Sequence, residues 1–239
     1  MQNQSSVSKT IACTGLFLLF PGTMFAFIAY AVINGDTDYG NHDGPMPLYS
    51  NMFRFWPLAG NLTFALGTVL LCVGLLTHRA TVPCAGCSYP IVPLNLLLTM
   101  AFSTACSLGV VSSAEDFGYT VIVILHYIFT GGFMIGAFFV FSILVKYNIV
   151  VADAKNRWIQ RIAIPVLQAC IVSFVILACA SASAMLITME DARPMMQTLA
   201  ACEFLLLLSF GIGYTLLFPW LFPNQSYPPI PKRWSYLFY

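Results

Sequence analysis

The chain has 239 residues, of which 59% are hydrophobic and 8% charged, and its net charge is +1. Soluble domains carry roughly 25% charged residues, so this composition excludes an ordinary soluble fold. The near-neutral balance also excludes an electrostatic nucleic-acid surface, and no polar stretch is long enough to bury a second core.

Apolar runs predict membrane helices over about 10–33, 56–77, 92–112, 118–145, 162–187 and 195–221, each near the roughly 20 residues a bilayer requires. The expected fold class is therefore all-α: a polytopic membrane protein whose residues 1–239 form a single six-transmembrane-helix bundle. The first run contains Pro21 and exceeds the 7–15 apolar residues of a signal peptide, so it reads as a retained helix. The second begins at Trp56-Pro57 and holds Asn61. After it come three prolines and the pair Cys84 and Cys87, half of a zinc site with no matching second pair. These juxtamembrane cysteines are candidates for S-palmitoylation, and neither a metal nor a cofactor is expected.

The third run holds Ser103 and Ser107. The fourth holds His126, Thr130 and the GxxxG pair Gly132 and Gly136, which predicts close helix packing within the bundle. The fifth carries Pro165 and Gln168, then small residues at Ala178, Ala180, Ser181, Ala182 and Ala184, expected to pack internally. The sixth holds Glu203, the one acidic residue inside any of the six runs. A carboxylate at membrane depth costs roughly 2.5 kcal/mol or more on the insertion scale.

Charge orients the bundle. The N-terminus, the second and fourth connections and the tail carry Lys9, Arg79, Lys146, Lys155, Arg157, Arg161, Lys232 and Arg233, against Asp153 alone. The other connections carry only Arg54 and Arg193, against seven acids. This asymmetry predicts cytosolic termini by the positive-inside rule. It also predicts that Asn61 and Asn224, although in glycosylation patterns, remain unmodified.

His126 and Glu203 fall at similar depths in helices that enter from the same, non-cytosolic side. Pairing offsets the desolvation of two ionisable groups, so they are expected to form an intramembrane polar pair, with Asn61, Ser107, Thr130 and Ser181 as supporting positions. The pair is either a lipid-headgroup or proton-handling site, or a clasp fixing the register of two helices. No nucleophile motif accompanies it, so no catalytic residue is assigned.

The run Val111-Ser112-Ser113-Ala114-Glu115-Asp116-Phe117, then Leu125-His126-Tyr127, the small-rich fifth helix and Ala200-Ala201-Cys202-Glu203-Phe204 resemble the DRAM/FRAG/Sfk superfamily. The resemblance implies a six-helix membrane protein with cytosolic termini. Leu125-His126-Tyr127 is similar to the damage-regulated autophagy modulators and to the Sfk-like group, which helps to position phosphatidylinositol 4-kinase. The Ser-Ser-Ala-Glu-Asp-Phe run and Arg157-Trp158-Ile159-Gln160-Arg161 look like the GPI-anchor lipid-remodelling member. Pro47-Leu48-Tyr49-Ser50-Asn51 departs from the Pro-Tyr-Ile-Ser-Asp-Thr-Gly of the autophagy modulators. The function this implies is a non-enzymatic modulator of autophagy, endolysosomal or phosphoinositide regulation, working through membrane lipids or membrane and peripheral protein partners. The alternatives are a GPI-anchor remodelling factor and, more weakly, a channel or transporter. The lysosome, endosome, plasma membrane and Golgi all fit.

Overall fold

A computed structural model of the chain describes residues 2–38, 52–53, 56–81, 96–105, 119–151, 162–188 and 193–221. Among these the architecture is all-helical. The first rod is α1 (Gln2–Phe17), a π-turn π1 (Leu18–Gly22) and α2 (Thr23–Asp38). The second is α3 (Pro57–Gly60), a π-turn π2 (Asn61–Ala65) and α4 (Leu66–Thr81). The others are α5 (Leu96–Ala105), α6 (Tyr119–Val151), α7 (Ile164–Thr188) and α8 (Arg193–Leu221).

Four helical stretches are long and apolar enough to cross a bilayer: Ser6–Ile33, Pro57–His78, Ile164–Ser181 and Gln197–Leu217. Two shorter apolar helices, Leu96–Ala105 and Ile128–Ser142, accompany them. The first helical rod runs well past both predicted bounds, because neither the polar Gln2–Ser8 stretch nor Asn34-Gly35 stops a helix already propagating.

Both π-turns have local causes. Pro21 lacks the N–H that would close an α-turn, so the chain widens over Leu18–Gly22. The Thr23 backbone N–H and its Oγ1, the latter at 3.0 Å, both donate to the Leu18 carbonyl. In the second rod Pro57 starts α3 at a position where its missing N–H costs nothing. There Asn61 Nδ2 donates to the Pro57 carbonyl and Thr63 Oγ1 to the Ala59 carbonyl, each at 2.8 Å.

The first two rods meet backbone to backbone. A Cβ at Gly67 would lie 2.6 Å from the Leu19 nitrogen, and one at Gly74 would lie 2.6 Å from that of Ala12. Gly15 faces the Leu71 backbone in the same way. Ala12 is thus opposite Gly74 and Leu19 opposite Gly67, so the two rods are antiparallel. Gly60, Gly67 and Gly74 recur every seven residues and keep one face of the second rod free of side chains.

Contacts fix the other directions. Phe20 packs on Gly211 and Phe27 on Phe204, so α8 runs against the first rod. Gly136 makes room for Thr99 and Gly132 for the Phe102 ring, so α5 and α6 are antiparallel. Phe133 meets Phe64 at a ring separation of 4.9 Å, above the Leu19 level, whereas Phe141 fills the space at Gly213, below the Phe20–Gly211 contact. Hence α6 descends alongside α4 and α8. The end of the bundle with Asp38, Trp56 and Arg193 is called the upper end below.

The core lies between the first, second, fourth and sixth rods. Phe20, Phe141, Phe210 and Tyr214 form its aromatic centre, with ring separations of 5.9 Å for Phe20–Tyr214 and 5.7 Å for Phe141–Tyr214. The fifth rod is peripheral and packs chiefly on α8. Only 11% of its Ile164–Ser181 stretch is buried, against 56% for Gln197–Leu217. Its small residues divide accordingly: Ala178 and Ala184 are half-buried, while Ala180 is exposed. The internal packing expected of this face therefore does not extend to Ala180. The side chain of Ala182 lies outside the described residues.

Candidate functional site

The site follows from one register. The Tyr214 hydroxyl donates to the Ala137 carbonyl at 3.4 Å, a weak bond between two buried residues 77 positions apart. Because α6 and α8 run in the same direction, moving up both by the same number of residues keeps the level matched. Eleven residues make about three turns, or roughly 16 Å, and return to the same helix face. Eleven above Tyr214 stands Glu203, and eleven above Ala137 stands His126.

Both positions lie on core-facing stripes. Glu203 shares its stripe with Phe210, Tyr214 and Leu217, exposed by 1%, 5% and 0%. Position 126 shares its stripe with Phe133, Ala137 and Val140, all buried. The imidazole of His126 lies outside the described residues, so His126 is placed by backbone register alone.

Glu203 is half-buried and engaged with its surroundings. Its neighbour Cys202 is buried, and its other neighbour, Phe204, packs against Phe27 at 6.4 Å. One turn above Phe27, Tyr30 is fully buried and meets Trp56 edge-on at 5.8 Å. The carboxylate therefore sits beneath an aromatic crown contributed by the first two rods.

The supporting positions are more dispersed than the sequence suggested. Thr130 is half-buried on α6 one turn below His126, and Ser181 is half-buried on the peripheral α7. The Asn61 amide is spent on π2. Ser107, Cys84 and Cys87 lie outside the described residues. Gly132 and Gly136 receive Phe102 and Thr99 from α5.

Most intramembrane hydroxyls return to their own helix. Thr68 donates to the Phe64 carbonyl at 2.8 Å and Ser103 to Met100 at 2.9 Å, the local bonding that satisfies such residues without a partner helix. Among the side-chain bonds that cross between rods are Tyr214 to Ala137, and Gln168 Nε2 to Ser142 Oγ at 3.3 Å near the lower end. Sequence reasoning did not single out Tyr214. The available signal was a phenol with Gly211 and Gly213 just before it, space that two facing aromatics fill.

Below the Glu203 level the described residues include a packed aromatic core. A cavity bordered by Thr68, Cys72, Thr99 and Tyr214 has a volume of about 20 Å³, room for about one water. The arrangement can hold a proton, pair a carboxylate with an imidazole, or meet a polar group arriving from the upper end. No family model matches the chain, and neither a curated protein nor a solved structure is similar to it at a significant level.

Proposed function

We propose that the chain is a six-span membrane protein of the DRAM/FRAG/Sfk type, its single domain placing both termini in the cytosol. In this reading it is a non-enzymatic modulator acting in autophagic, endolysosomal or phosphoinositide regulation through membrane lipids or protein partners. His126 and Glu203 form its polar centre, facing the non-cytosolic leaflet. The observation that supports it is the shared level of positions 126 and 203 above a core sealed by Phe20, Phe141, Phe210 and Tyr214. A polar level confined to one half of the bundle suits recognition better than conduction. A transporter would carry its polar groups through the bundle on discontinuous helices.

Knockout cells test the proposal. Altered autophagic flux or phosphoinositide turnover with normal GPI-anchored surface proteins is the expected result. Loss of GPI-anchored proteins with normal flux would replace this reading with a GPI-anchor remodelling role. The organelle reached by a tagged copy separates the compartments. A C-terminal tag protected from protease on the cytosolic side of sealed vesicles would overturn the orientation.

A further inference from the structure

The two π-turns are not independent irregularities. Leu18–Gly22 and Asn61–Ala65 pack against each other across the interface of the first two rods. A Cβ at Gly22 would stand 3.6 Å from Thr63 Cγ2. Below this contact the rods are locked by the Gly15, Gly67 and Gly74 backbone approaches. Above it, α2 and residues 56–60 are joined by the Tyr30–Trp56 ring pair. Their contact with α8 near Glu203 is one of side chains, Phe27 on Phe204. Helices bend at prolines and π-turns, where the regular ladder is already interrupted, and π-turns recur at functional sites.

We infer that the facing π-turns form a hinge, about which α2 and residues 56–60 swing as one body away from α8 and uncover the flank of Glu203. The bonds at the turns suit this role. Thr23 donates to a carbonyl within π1, and Asn61 and Thr63 donate to the Pro57 and Ala59 carbonyls of α3, so these bonds all stay within one rod as the arms move. A swing of about 20° moves Phe27, five residues above Gly22, by roughly 2.6 Å. That displacement is enough to separate Phe27 from Phe204. The inference builds on the Glu203 level being the working site, and its test reads motion alone, so the two fail separately.

Two native thiols provide the probe. Cys202, beside Glu203, and Cys72, in the locked lower core, are both 3% exposed. The full-length protein in phosphatidylcholine nanodiscs is treated with N-ethylmaleimide, and labelling of each cysteine is followed by peptide mass spectrometry. In one variant, Gly22→Cys with Thr63→Cys, oxidation pins the turns together at a separation compatible with a disulfide. In the other, Pro21→Ala restores the missing N–H at an exposed position. The expected result is that Cys202 labels in the wild type and slows by on the order of tenfold in both variants, as local opening is suppressed. Cys72 labelling stays unchanged throughout. The hinge is overturned if Cys202 does not label in the folded wild type, if its rate is the same with the turns cross-linked, or if Cys72 slows in parallel.

Discussion

The hydroxyl of Tyr214 reaches the backbone of Ala137 across the α6–α8 interface, and the 77-residue offset of that bond is the offset between His126 and Glu203. A phenol in the centre of the bundle thereby relates the levels of positions 126 and 203, three turns above it. Tyr214→Phe keeps the stacking on Phe20 and Phe141 and loses only the bond. It should cost about 0.6 kcal/mol, the usual worth of an interhelical polar contact. Tyr214→Ala removes the ring as well and should cost about 3–5 kcal/mol. Unfolding in detergent micelles measures both, and equal losses would show that the hydroxyl, not the ring, carries the contact.

The glycine seam makes a sharper steric prediction. A Cβ at Gly67 or Gly74 meets backbone at 2.6 Å, which cannot move aside as a side-chain tip can. Gly67→Ala and Gly74→Ala should each destabilise the protein by about 1–3 kcal/mol through overpacking. Gly131 has nothing within 4 Å of the same position. Gly131→Ala should therefore be neutral or stabilise by up to about 1 kcal/mol through helix propensity. The same unfolding assay distinguishes the three.

Two isoleucines on one helix test the peripheral placement of α7. Ile171 is fully buried and Ile176 is 61% exposed. Ile171→Ala should cost about 2–5 kcal/mol by leaving a cavity, whereas Ile176→Ala should stay within about 0.5 kcal/mol of wild type. Similar losses at both positions would place a further helix against the outer face of α7.

Hydropathy made the all-helical architecture legible, because runs such as 195–221 are apolar on every face and admit few other structures. The Gly132–Gly136 spacing was visible too, and it is side chains, Phe102 and Thr99, that occupy the space beside these glycines. The seam of the first two rods was harder to see. Its glycines on the second rod, Gly67 and Gly74, are seven residues apart, and the matching small residues Ala12 and Gly15 lie on another helix. Pro21 was visible as an interruption, but π2 contains no proline and had no comparable mark in the sequence. Glu203 stood out because an acid inside an apolar run is costly. Tyr214 did not, since a tyrosine among leucines and phenylalanines has the same composition at a core as at a membrane interface. The exposure of Ala180 was hidden for a similar reason: a face of small residues suits both helix contact and lipid.

The central claim is that positions 126 and 203 share one level and face each other, and a double-mutant cycle tests it most directly. His126→Ala, Glu203→Ala and the double variant are unfolded in the same micelles as the wild type. Facing partners should show a coupling of about 0.6–1.7 kcal/mol, the range seen for interhelical polar contacts. Additivity within about 0.3 kcal/mol would contradict the account and leave Glu203 engaged elsewhere in the crown.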